Sequence, residues 1–143
     1  MGTATLQLRS MHHLSGGRDR FTYDFVVDGV SLAGTLRAGH LVGRIDVAGG
    51  EGNAAAVKVL LRLDPADVPP DRVMLFVCSE CGDIGCGAVT AAVTLEADAY
   101  VWSDFRQENG YDEGMTERHP DVGPFRFAAA EYRALLGGLA APA

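Results

Sequence analysis

Apolar and polar positions divide the chain into a strand-rich first third, a mid-chain helix, a second strand-rich block and a closing helix. Thr3 to Arg9 alternates, with Ala4, Leu6 and Leu8 on one face. The polar, glycine-bearing stretch SMHHLSGGRDR follows and reads as a loop. Phe21, Tyr23, Phe25 and Val27 then share a face, the period-2 signature of a half-buried strand. Asp28-Gly29 is a two-residue turn, because both positions must reach positive φ and this dipeptide does so at little cost. Val30, Leu32 and Leu36 continue the inward face beyond the turn.

Residues 38–52 are irregular and glycine-rich. With Asn53 as N-cap, Val57, Leu60 and Leu61 recur at helical spacing. Val57, Val59, Leu61 and Leu63 also alternate, so a strand competes; the helix is preferred. It ends by Asp64-Pro65, since the residue before proline avoids helical geometry. Arg72 to Cys78, RVMLFVC, is a buried strand, and Val89, Ala91, Val93 and Leu95 alternate in the next. The turn EADA leads into AYVWSDF, with Tyr100, Trp102 and Asp104 on one face and Val101, Ser103 and Phe105 on the other. Residues 107–124 read as an acidic loop. A closing helix starts near Ala128, carries Tyr132, Leu135, Leu136 and Leu139 as its apolar stripe, and stops at Gly137-Gly138. The expected class is α+β: a mainly antiparallel sheet of about six strands in hairpins, one mid-chain helix and a C-terminal helix.

Composition sharpens this picture. A chain of 143 residues is the size of one domain, here residues 1–143, and its 48% hydrophobic share can build a core unaided. The 22% charged share argues against disorder. The formal net charge is −7 and the bases are scattered, so neither nucleic acid nor an anionic membrane surface is an expected partner. No apolar run approaches the ~20 residues of a membrane span, and the N-terminus lacks a secretory h-region. The expected location is cytoplasmic. There, three cysteines are thiols or metal ligands before they are a disulfide framework.

All three cysteines fall in CSECGDIGCG, with spacing C-x2-C-x4-C. Cys78 ends one strand and Cys86 precedes the next, so pairing of those strands brings both to the mouth of the loop, with Cys81 between them. Three converging sulfurs suit a tetrahedral zinc, and Gly82, Gly85 and Gly87 let the loop bend around it. A closed site needs a fourth ligand. His119 is favoured; His40, His12, His13 and Asp83 are alternatives, and a water would make the site open. The same cysteines also read as a redox dithiol, although a strand rather than a helix follows them. An iron–sulfur cluster lacks its fourth cysteine. In the bland reading the sulfurs only fill a glycine-built turn.

Other constellations are weaker. Trp102, Asp104 and Glu108, with Tyr111 and Asp112 nearby, are candidates for a substrate pocket in which paired carboxylates do acid–base work; a solvated sheet edge is the commoner outcome for such residues. The acidic stretch 107–121 suits a basic protein partner. No P-loop, HExxH or dinucleotide fingerprint occurs.

The segments CSECGDIGCGAVT, VWSDFRQENGY and FRFAAAEYRALL together resemble a family of small uncharacterised bacterial proteins that carry a loose oxidoreductase label. The resemblance spans residues 72–136 and implies a shared architecture. The expected function is therefore that of a soluble domain with a structural thiol or zinc site in the Cys78–Cys86 loop. The alternatives are a thiol- or metal-dependent oxidoreductase using the same cysteines, and an acidic protein-binding module.

Overall fold

The computed structural model describes residues 2–80, 86–108 and 116–139. It is α+β and mostly antiparallel sheet, as expected, but the described residues form nine strands rather than about six, with three helices. Polarity disguises two stretches that form paired strand.

The first is the opening hairpin. β1 (Leu6–Ser15) pairs with β2 (Arg18–Val27) from Leu6↔Val27 to Ser15↔Arg18, so the stretch expected to be a loop is paired strand. Gly16 and Gly17, at φ 58° and 77°, form its two-residue turn. The tip has no core behind it; Leu14 is 73% exposed and its neighbours are polar, so period-2 burial is missing. The Asp28-Gly29 turn is present as expected, at φ 50° and 82°, joining β2 to β3 (Val30–Ser31). Val30, however, is exposed. Leu32 and Leu36 reach the core through a short helix, α1 (Leu32–Thr35), capped by the Ser31 hydroxyl.

The second sheet runs β4 (Val42–Gly43), β5 (Arg72–Val77), β6 (Ala88–Glu96) and β7 (Ala99–Glu108). Two short strands then share the far edge of β7: β9 (Phe125–Ala128) pairs with residues 99–102 and β8 (Glu117–His119) with residues 105–107. Residues just past β4 run along β2, where Tyr23 N–H donates to Ile45 O and Val47 N–H to Phe21 O. This links the two sheets. β7 carries one extra residue against β6, at Asp104, whose φ is 51°. The bulge shifts the alternation: Trp102 and Phe105 are both fully buried, while Asp104 is 45% exposed at its side chain. Asp104 therefore does not follow Trp102 onto one face.

The inner faces of the sheets meet at Phe25, whose ring packs edge-on against Phe76 and Trp102 at 5.8 and 5.3 Å. The mid-chain helix α2 spans Glu51–Leu60 and buries Ala56, Val57, Val59 and Leu60. Asn53 is inside it rather than at its cap. Its amide exchanges hydrogen bonds with the backbone of Asp46 (2.8 and 2.7 Å), tying the helix to the segment beside β2. The helix stops before Asp64-Pro65 because Arg62 adopts φ 59°, in the left-handed region. Its terminal carbonyls lack helical partners. Tyr132 of α3 (Ala129–Gly137) donates to Leu60 O at 2.8 Å and accepts from Trp102 Nε1 at 3.1 Å; Tyr100 donates to Leu61 O at 2.9 Å. Burial holds the Tyr132 hydroxyl far above tyrosine's usual pKa, so it stays a donor.

Tyr132→Phe leaves both the Trp102 N–H and the Leu60 carbonyl buried without this partner. It is expected to lower unfolding stability by about 2–3 kcal/mol, and Tyr100→Phe, whose hydroxyl is only part-buried, by about 1 kcal/mol. Urea denaturation checks this; equal or negligible losses would remove Tyr132 as the tie between these elements.

Candidate functional site

The cysteine segment bridges neighbouring strands. Val77 pairs with Ala88, so Cys78 leaves β5 and Gly87 enters β6 at the base of one connection. The start of that connection is anchored from the other sheet. Arg20 of β2 donates to Ser79 O at 3.0 Å, and two of its nitrogens reach the Asp46 carboxylate at 3.0 and 3.4 Å. Cys78 is a half-buried free thiol. Cys86 is exposed and disulfide-bonded. Cys81 and Asp83 lie outside the described residues, as do Tyr111 and Asp112. Gly87 sits at φ 105°, which only glycine adopts readily.

Pairing then decides what else stands at this end of the sheet. Val42 pairs with Val77, Ala88 with Glu108, and Gln107 with Glu117. His40 and Leu41, the Cys86-Gly87 step, Glu108 and Glu117 are thus carried to one end by consecutive strands. They line an open cleft of about 290 Å³ together with Gln107. His40 appears among the sequence candidates; Gln107 and Glu117 enter there only as members of the acidic stretch 107–121, because residues 107–124 are expected to be loop.

The remaining histidines are dispersed. His119 is half-buried on β8 opposite Phe105, and its Nε2 is buried with no hydrogen-bond partner among the described residues. His12 and His13 stand on the opening hairpin, where His12 bonds Asp19 at 2.7 Å and His13 bonds Thr22 at 3.1 Å. Burial, helped by Arg20 and His12, holds His13 below the usual histidine pKa. Among the described residues no group of three or more His, Cys, Asp and Glu side chains is placed to hold a metal ion.

Trp102, Asp104 and Glu108 separate into two environments. Trp102 is core. Asp104 and Glu108 meet instead across a polar cluster on the sheet's outer face. Arg72, 7% exposed, donates to Asp104 Oδ2 at 2.6 Å, to Asp104 O at 2.9 Å and to Thr90 Oγ1 at 2.9 Å. The Thr90 hydroxyl in turn donates a hydrogen bond to Glu108 Oε2 at 2.7 Å, and Arg106 adds a second contact to Asp104 at 2.7 Å. Small neighbours make room for this: Arg72 pairs with Ala92, and Ala88 and Ala92 flank Thr90 on that face of β6. Burial, then repulsion from Arg106, lowers the Arg72 pKa, with Asp104, Glu108 and Asp71 opposing. The guanidinium nevertheless remains charged. With both carboxylates engaged as acceptors, the cluster is a framework that holds Glu108 at the cleft.

Comparisons of the chain with protein-family models, with curated proteins and with solved structures find no match.

Removing Asp104 strands a buried guanidinium. Asp104→Ala is expected to cost about 2–4 kcal/mol, and the Arg72→Met/Asp104→Ala double variant less than the single change, since it removes the orphaned charge as well. Equilibrium unfolding of the three variants checks this; additive losses would contradict it.

Proposed function

We propose that the Cys78–Cys86 connection is a thiol–disulfide centre, and that the protein is a small thiol-dependent oxidoreductase domain. One observation carries the reading: within a single strand connection, Cys86 is disulfide-bonded while Cys78 keeps a free thiol. Exchange begins when the thiolate of an outside reagent attacks a disulfide sulfur that it can reach. Cys86 is exposed, and Cys78 is half-buried at the anchored base of the same connection. Reduction of the disulfide takes up two electrons and two protons from a donor dithiol, and oxidation returns them to an acceptor disulfide.

Zinc held by Cys78, Cys81, Cys86 and His119 is the competing reading. It requires all three cysteines as thiolates, so it belongs to the reduced chain only. The two readings therefore separate on thiol count and metal content.

Protein purified without added reductant should expose one alkylatable thiol per chain after denaturation. Full reduction should expose all three of the cysteines. In glutathione buffers the two forms should interconvert with a midpoint of about −180 to −270 mV. Three thiols with stoichiometric zinc in the purified protein would replace this reading with the metal clamp. A disulfide reduced only below about −300 mV would make it structural.

A further inference from the structure

β1 is the longest free sheet edge among the described residues. It bounds the first sheet, where it pairs with β2 alone, whereas the second sheet is bounded by the two-residue β4 and by the short β8 and β9. The Gly16-Gly17 turn makes Ser15 and Arg18 a hydrogen-bonded pair, and bonded pairs then alternate along the ladder. Gln7, Arg9, Met11 and His13 therefore turn their N–H and C=O groups to β2. The Asp28 N–H, donating to Thr5 O at 2.9 Å, keeps the same phase. Leu6, Leu8, Ser10, His12 and Leu14 turn theirs outward, where no other described strand meets them. The outer edge is next occupied at Ala4, whose N–H donates to Arg126 O at 2.6 Å. The devices that usually blunt an exposed edge are missing. β1 has no proline, lysine or carboxylate, and its register with β2 runs without a bulge.

We infer that β1 pairs with β1 of a second copy of this chain, antiparallel and about a two-fold axis at Ser10, so that their first sheets become one continuous sheet. Only residues whose backbone groups face outward bond across such a seam, so the even-numbered positions must meet one another. With Ser10 opposite Ser10, Leu8 meets His12 and Leu6 meets Leu14. The intervening pairs are Arg9 with Met11 and Gln7 with His13. No charge then stands opposite a like charge. An axis at Arg9 would oppose that residue to itself, and one at Met11 would oppose Arg9 to His13, a like charge once the ring is protonated. The Ser10 axis also gives Leu14, 73% exposed in the single chain, an apolar place. It lands beside Leu6 of the second copy, at an open groove of about 540 Å³ between the β1 edge and Leu135 and Leu139 of α3. Because β1 carries no carboxylate, two chains of net charge −7 can meet along it. The seam is mainly backbone pairing, an interface at the small end of the range, so the dimer forms as concentration rises.

Sedimentation equilibrium of the full chain tests this, with reductant present so that no intermolecular disulfide contributes. Between about 1 and 500 μM the mass should rise from one chain towards two. Ser10 is exposed, and its place opposite itself makes the register testable. Ser10→Glu and Ser10→Lys, each alone, set like charges across the axis and should weaken association about fivefold at low ionic strength. An equal mixture of the two variants sets opposite charges across the axis and should recover the loss. Amide hydrogen exchange locates the seam. The Leu8, Ser10 and His12 amides should slow as concentration rises, while those of Arg9, Met11 and His13 stay protected throughout and report that each variant is folded. A single-chain mass at every concentration overturns the inference. So does a dimer that both single variants leave intact, since its interface then lies elsewhere, and so does a mixture that associates no better than either variant alone.

Discussion

The Tyr132 hydroxyl is where the elements of this fold are joined by something more selective than apolar contact. It takes the Trp102 N–H from the middle of β7 and gives its own proton to the last turn of α2. Each of those groups is buried and would otherwise lack a partner, so the positions of strand and both helices are specified together. The rings around it make the same join by shape: Tyr100 stacks on Tyr132 at 4.2 Å, and Phe127 meets Trp102 edge-on at 5.2 Å. With β7 located, β6 and β5 follow by register, and so does the base of the cysteine connection.

The bulge at Asp104 divides β7 into a half that serves the core and a half that borders the candidate site. On one side Trp102 serves the core. On the other, the shifted phase turns Asp104 outward beneath two arginines and sets Glu108 beside the Cys86-Gly87 step. A flat strand would have continued the alternation past Trp102 and aimed different side chains at the sheet's end. The positive φ of Asp104 is thus tied to placement of the site, and Arg72 and Thr90 hold the turned residues in place.

Legibility in the sequence followed burial. α+β class, the Asp28-Gly29 turn, the buried strand before the cysteines and the closing helix were all readable, because one face of each is apolar or its turn chemistry is restrictive. The opening hairpin is readable only at its inner half; beyond Met11 its residues are mostly polar and its apolar ones, Leu14 and Phe21, are left exposed, so Gly16-Gly17 reads as loop rather than turn. β8 was hidden in an acidic stretch because three residues on a sheet edge leave no periodic signal, and with it went Glu117. The grouping of Trp102 with Asp104 assumed an unbroken period of two, which an inserted residue defeats. The cysteine loop itself was recognisable from spacing and glycines. Its neighbours His40, Glu108 and Glu117 reach it only through the register of five paired strands, which the sequence does not display.

On the proposed thiol–disulfide reading the cysteines of one strand connection differ in role: Cys86 cycles between disulfide and thiol while Cys78 rests as a thiol. Cysteine-labelled NMR followed through a series of redox buffers reads each sulfur's state directly from its Cβ resonance. The Cys86 resonance should move between oxidised and reduced positions with the buffer while that of Cys78 stays reduced at both ends. A Cys86 resonance fixed in one state throughout would contradict it. So would three cysteine resonances that ignore the redox buffer and shift together only when zinc is added.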